Sequence, residues 1–219
     1  MGVVVTLFRL DASIRTHGSA SREIADIVEE EWLATHSGDT VQRRHIGVDV
    51  LPATAWAAAV TAGTTPPQEQ TAEQRAAVAL ATTLVDELLA AEAILFAVPL
   101  YNFGVSQHFK TYIDLVNTDQ RAFAKPFLKG KRVALVTVRG GAYGDGTPRA
   151  GWDHSTPYLR RIIADWWGAD LTVIEREFTL VGVDPTLDPF TDQAAAMHAS
   201  ALQAAREAGR ALGGVPIPA

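Results

Sequence analysis

Short apolar runs alternate with amphipathic stretches along this chain, and that alternation limits the possible folds more than any other feature. Val3–Leu10, Ala93–Val98, Lys131–Val138 and Leu171–Phe178 have strand length, and Thr40–Val48 is a weaker, alternating run. Continuous apolar runs of this length suit strands buried on both faces of a sheet. Helix patterns lie between them. Ser19–Thr35 puts Ile24, Ile27, Val28 and Trp32 on one face and Arg22, Glu23, Asp26, Glu29 and Glu30 on the other. Thr71-Ala72-Glu73-Gln74 spells a capping box, followed by an apolar stripe of Val78, Ala81, Leu84, Val85, Leu88 and Leu89. Ser106–Asn117 turns Phe109, Tyr112, Ile113 and Val116 inward. Thr156 is expected to cap a helix that has Pro157 in its first turn and Gly168 at its end. An alanine-rich helix begins at Asp188 or Thr191 and ends near Gly213. The long irregular stretch Asp49–Gln70 carries a short helix over Thr54–Val60.

Five strands alternating with helices predict an α/β chain whose parallel sheet is covered on both faces. No internal repeat and no linker divides the sequence, so residues 1–219 are read as a single domain. The preferred strand order is 2-1-3-4-5, a flavodoxin-like three-layer fold. In that order ligands sit beyond the carboxyl ends of strands one, three and four.

Composition removes several chemistries. With no cysteine, disulfides, thiolate metal sites and cysteine nucleophiles are excluded. The six histidines form neither His-Glu-x-x-His nor His-x-His, so no metal site is expected. A formal net charge of −6 argues against nucleic acid as a partner, because phosphate backbones call for a basic face. The longest apolar runs fall far short of the ~20 residues of a membrane helix. No basic stretch precedes the first apolar run, so no signal peptide is expected, and the chain is read as cytoplasmic.

Three loops fall on the ligand edge of this fold. The first, Asp11–Ser21, offers hydroxyls at Ser13, Thr16, Ser19 and Ser21 where a helix begins. Helix-terminal amides and hydroxyls make an anion site. Serines there also serve as plain helix caps, and the sequence does not separate the two roles. The second loop, Pro99–Ser106, has Pro99 ending the strand's pairing, then Tyr101 and Phe103 as flat walls around the polar Asn102. That set suits a planar heteroaromatic; a turn packed under its helix is the plainer alternative. The third, Arg139–Asp153, presents Gly140 and Gly141, whose amides a ligand can approach closely, and Tyr143, placed to cover a ring or shape an acceptor pocket. A flexible connection is its plainer reading. His154, beside Asp153, is a candidate proton donor or a structural histidine at a loop end.

Taken together, these loops resemble those of the FMN-dependent NADH azoreductases, flavodoxin-like dimers within the NAD(P)H:quinone oxidoreductase group. That family has a serine followed six residues later by Ser-x-Ser, seen here as Ser13 and Ser19-Ala20-Ser21. Its Met-Tyr-Asn-Phe is similar to Leu100-Tyr101-Asn102-Phe103, and its Ser-Arg-Gly-Gly to Val138-Arg139-Gly140-Gly141. Its Asp-His…Pro-Tyr-Leu matches Asp153-His154…Pro157-Tyr158-Leu159. The resemblance runs from strand one into the last helix. The segment Asn117–Gly130 departs from it, being shorter and lacking the family's aromatic-rich stretch.

The resemblance implies FMN as cofactor and NADH or NADPH as electron donor. It also implies a small-molecule quinone, azo or related electrophilic aromatic as acceptor, and a homodimer. Ser13, Ser19, Ala20 and Ser21 would hold the phosphate. Leu100, Tyr101, Asn102, Phe103, Val138, Arg139, Gly140 and Gly141 would border the ring system. The flavin would carry the chemistry in a ping-pong reaction, with no side chain assigned as acid or base. A flavodoxin-like electron carrier, or a reductase of the same chemistry serving a biosynthetic pathway, are the alternatives. The Asp49–Gln70 insertion and the extended Gly loop favour an enzyme over a carrier.

Overall fold

A computed structural model of the protein describes residues 6–36, 38–147 and 149–214. Its strands are β1 (Thr6–Asp11), β2 (Thr40–His45), β3 (Ala93–Tyr101), β4 (Gly104–Val105), β5 (Arg132–Val138) and β6 (Asp170–Arg176). All but β4 run parallel, side by side as β2-β1-β3-β5-β6. Counted alone, these five hold the expected order 2-1-3-4-5. The addition is β4, which folds back antiparallel on the end of β3. The helices are α1 (Ala20–Thr35), α2 (Ala55–Ala62), α3 (Ala72–Ala90), α4 (Gln107–Val116), α5 (Gln120–Phe123), α6 (Thr156–Arg160) and α7 (Thr191–Leu212).

Alternation along the strands sorts the core into two layers. Leu7 of β1 and Leu95 of β3 point to α1 and α7, where Ile24, Val28, Trp32 and Ala205 meet them. Phe8, Ile94 and Phe96 point the other way, onto Leu84, Leu88, Phe109 and Tyr112 of α3 and α4. Both layers are buried, which is why β3 reads as an unbroken apolar run.

Most element boundaries follow the sequence, and the differences have local causes. The expected start of strand one at Val3 to Val5 lies outside the described residues. β3 continues through Pro99 instead of ending there. Pro99 stays in register with Val138, and β4 supplies partners for Leu100 and Tyr101. β2 stops at His45, whose carbonyl accepts from both Val48 and Asp49 in a turn. β6 stops at Arg176, and Phe178 beyond it is left-handed with φ 56°. Thr156 begins α6 but does not cap it. Asp153 caps in its place, its Oδ1 accepting from the amides of Ser155 (2.8 Å) and Thr156 (2.9 Å). The capping box at Thr71 and Gln74 forms as expected.

Candidate active site

The chain leaves the carboxyl ends of β1, β3 and β5 in the three loops named above, and all three line one cavity of about 370 Å³. That volume lies within the ~300–1,000 Å³ usual for small-molecule sites.

The first loop is anchored from below. Arg9 is buried in β1 and donates to Asp11 (3.1 Å), Asp26 (2.7 Å) and Glu29 (3.1 Å). Burial opposes its charge, but Asp11 and Asp26 outweigh burial and raise its pKa. From Asp11 the chain crosses over Gly47. A Cβ there would lie 2.0 Å from the Ser13 carbonyl oxygen, so only glycine lets the two backbones meet. Arg22 steadies the loop from α1, reaching the Arg15 carbonyl and His45 Nε2 (3.0 Å).

Ser13, Ser19 and Ser21 are all buried side chains lining the cavity. Ser19 is also the N-cap of α1, its Oγ accepting from the Arg22 amide at 3.4 Å. Its hydroxyl lies 3.2 Å from that of Ser21, which has no capping role. Ser19 is therefore a helix cap that also lines the cavity. The first turn of α1 adds amide donors and the positive end of the helix dipole.

Asn102 and Phe103 form the two-residue turn of the β3–β4 hairpin, with Tyr101 opposite Gly104. Both are left-handed, with φ 47° and 67°. Positive φ at both central residues is the type I′ pattern; asparagine suits its first position and glycine its second. Phenylalanine at the second is strained by about 1–2 kcal/mol. Its ring closes an edge-to-face cluster with Tyr143 (6.2 Å between centroids) and Trp152 (5.4 Å). Tyr101 links this loop to the first: its hydroxyl lies 3.4 Å from Ser13 Oγ and accepts from the Ile14 amide at 3.3 Å.

The third loop is fastened to the segment after β6. Arg139 and Arg176 continue the ladder, and beyond them Phe178, Thr179 and Leu180 donate to Gly141, Arg139 and Gly140 (3.1–3.2 Å). Thr179 and Leu180 thereby become part of the cavity wall. Arg139 does not face the cavity. It is 5% exposed and turned into the protein, donating to Asp153 (2.8 Å), Glu175 (2.8 Å), Glu177 (3.3 Å) and Thr156 (2.9 Å). Glu177 in turn accepts the Tyr143 amide at 3.0 Å. Burial pushes the Asp153 carboxyl up, but hydrogen bonds from Thr156, the Arg139 charge and the Ser155 amide together hold it below the usual carboxylate range.

Of the residues singled out from sequence, Ser13, Ser19, Ala20, Ser21, Leu100, Tyr101, Asn102, Phe103, Val138, Gly140, Gly141 and Tyr143 line the cavity, and Thr16 and Arg139 do not. Pro99 joins them, as do Arg15, Gly18, Arg149, Thr179 and Leu180, which were not singled out. His154 is absent from the lining; its amide bonds to the Phe103 carbonyl. The cavity is thus lined by the hydroxyls of Ser13, Ser19 and Ser21, by aromatic and aliphatic groups, and by the glycines of the third loop.

Such a cleft beyond the carboxyl edge of a doubly wound parallel sheet is the nucleotide site of open α/β proteins. The chain belongs to the family described as having a flavodoxin-like fold, matched over residues 6–206. It is 39% identical over 204 residues to the FMN-dependent NADH:quinone oxidoreductase of Frankia casuarinae, covering 91% of this chain and 96% of that one. To the protein of the same description from Frankia alni it is 37% identical, covering 85% and 90%. The crystal structure of an FMN-dependent NADH-azoreductase from Bacillus anthracis in complex with FMN matches with a TM-score of 0.76. That match covers 95% of this chain and 99% of the other at 19% identity, a likeness of fold.

Proposed function

We propose that this protein is an FMN-dependent NAD(P)H oxidoreductase that reduces quinones, azo compounds or related electrophilic aromatics by two-electron, ping-pong transfer. The observation that carries this reading is a single cavity lined both by the three serines and by Tyr101, Phe103 and Leu180. FMN has the matching chemistry, a monophosphate joined to a planar ring system. The names of the Frankia relatives agree with it.

In this reading Ser13, Ser19 and Ser21 hold the phosphate, with the Ala20 amide and the Arg15 guanidinium beside them. Leu100, Tyr101, Asn102, Phe103 and Val138 border the ring, and the amides of Gly140 and Gly141 meet its polar edge. Tyr143 shapes the acceptor side. Arg139 acts from behind, as a positioning residue for the glycine loop. When bound, FMN would supply the two-electron redox chemistry between NAD(P)H and the acceptor. The balance is NAD(P)H, a proton and a quinone giving NAD(P)⁺ and a hydroquinone.

Residues 1–219 form one FMN-binding domain in this proposal, acting in the cytoplasm as a homodimer. Its partner is a small electron acceptor, and neither nucleic acid nor membrane is a partner. Among the described residues no helix is long and apolar enough to cross a membrane. Support for the dimer is an apolar surface on which Trp56, Val60, Phe123 and Trp166 are exposed, while the neighbouring Trp167 is fully buried.

The test is steady-state turnover with NADH or NADPH and menadione. Parallel double-reciprocal lines support the enzyme. Turnover near zero with FMN bound supports the electron carrier.

A further inference from the structure

Two arginines line the cavity, and among the described residues neither forms an ion pair. Arg15 stands on the serine loop and Arg149 on the loop after β5. The buried arginines of this protein are treated differently: Arg9 and Arg139 each meet three carboxylates. Among the described residues, Arg149 makes no ion pair or side-chain hydrogen bond. Its guanidinium carbon lies 5.9 Å from the centre of the Tyr143 ring. A Cβ built on Gly141 would lie 3.1 Å from its Nη1, so the guanidinium rests against that glycine. Asp184 is the carboxylate that feels its charge: hydrogen bonds from Thr186, and then Arg149, hold it below its usual range.

An unpaired guanidinium in a cleft with aromatic walls concentrates positive potential there and binds planar oxyanions with two parallel hydrogen bonds. Resting on the proposed function, FMN brings one phosphate, and the serine arm with Arg15 accounts for it. A second cation then remains beside Tyr143.

We propose that Arg149 is a specificity-determining residue that holds the anionic group of the exchangeable ligand. That group is either a carboxylate or sulfonate on an aromatic acceptor or the pyrophosphate of the nicotinamide donor. The ligand's ring packs on Tyr143 and Phe103 while its anion meets the guanidinium.

The experiment uses FMN-loaded parent, Arg149→Gln and Arg149→Lys proteins. The probes are anthraquinone-2-sulfonate as anionic acceptor, menadione as neutral acceptor, and NADH. Kd for the sulfonate is read from quenching of tryptophan fluorescence, and KM is measured for all three. Arg149→Gln is expected to weaken one anionic probe about tenfold, as loss of a charge-assisted pair requires. Menadione KM and the FMN content stay as in the parent, and Arg149→Lys recovers part of the loss. A rise in the sulfonate Kd identifies the acceptor as the source of the anion; a rise in NADH KM identifies the donor. Equal weakening of menadione and the sulfonate overturns the proposal, as does no change in either anionic probe. Loss of FMN from Arg149→Gln also overturns it, by moving the residue to the cofactor. A parent protein that takes up no FMN overturns the functional reading itself.

Discussion

The Phe103 carbonyl accepts a hydrogen bond from the His154 amide at 2.9 Å, tying the hairpin after β3 to the far end of the loop after β5. The strained turn is thus clamped from outside, and two loops remote in sequence close around one cavity. The Asp153-His154 pair has a structural role: Asp153 caps α6 and pairs with Arg139, and His154 supplies a main-chain donor.

Phe103 occupies a turn position that glycine prefers, and it is 38% exposed. Substituting alanine keeps the left-handed strain and removes the ring. Glycine removes both. Phe103→Gly is therefore expected to be more stable than Phe103→Ala by about 1–2 kcal/mol in urea melts. Both variants should bind aromatic acceptors more weakly than the parent. Equal stability of the two, or an alanine variant the more stable, contradicts the strain.

The serines separate capping from ligand binding. Ser19→Ala removes an N-cap and should cost about 1 kcal/mol of stability as well as FMN affinity. Ser21→Ala should leave the urea midpoint nearly unchanged and weaken FMN about tenfold, near 1.4 kcal/mol. If Ser21→Ala binds FMN like the parent, the hydroxyl row is structural only.

Gly47→Ala tests whether the serine loop depends on its neighbour. The new methyl would meet the Ser13 carbonyl, so the loop must move. A loss of about 1–3 kcal/mol is expected from overpacking, with weaker FMN binding alongside it. Parental stability and affinity would show that the contact is not needed.

The Arg139 cluster sets a pH dependence. Asp153 titrates below its usual value in the native state, so its contribution is complete above about pH 4 and is lost as pH falls through the lowered native pKa. Arg139→Met leaves Asp153 and Glu177 without their cation and Glu175 with Arg160 alone, at an expected cost of about 3–5 kcal/mol at neutral pH. Unlike the parent, that variant should gain stability as pH drops from 7 towards 5, because protonation relieves the buried Asp153 once the Arg139 charge that opposed its burial is gone. Urea melts across this range check a flat parent against a rising variant.

The sheet order and the serine and glycine loops were legible because residue type and place coincide. Hydroxyls, glycines and aromatics cluster just past apolar runs, where a parallel sheet collects ligands. The hairpin at Asn102 and Phe103 was not legible, since its second turn position lacks the glycine that marks type I′. Leu180 and Thr179 reach the cavity through a main-chain ladder to Arg139 and Gly140, and a ladder leaves no side-chain signature. Arg139 sits in a motif that points to the cavity, yet Asp153, Glu175 and Glu177 draw it inward from positions far along the chain. Arg15 and Arg149 belong to none of the motifs in the sequence, and only the fold brings both into one cleft.

Titration of the flavin-free protein with FMN, followed by quenching of flavin fluorescence, tests the central claim most directly. The account predicts saturation at one FMN per chain with a Kd of about 1 μM or tighter, near −8 kcal/mol, and release of the flavin on denaturation. Fluorescence that stays unquenched up to about 100 μM protein, far beyond that Kd, would contradict it.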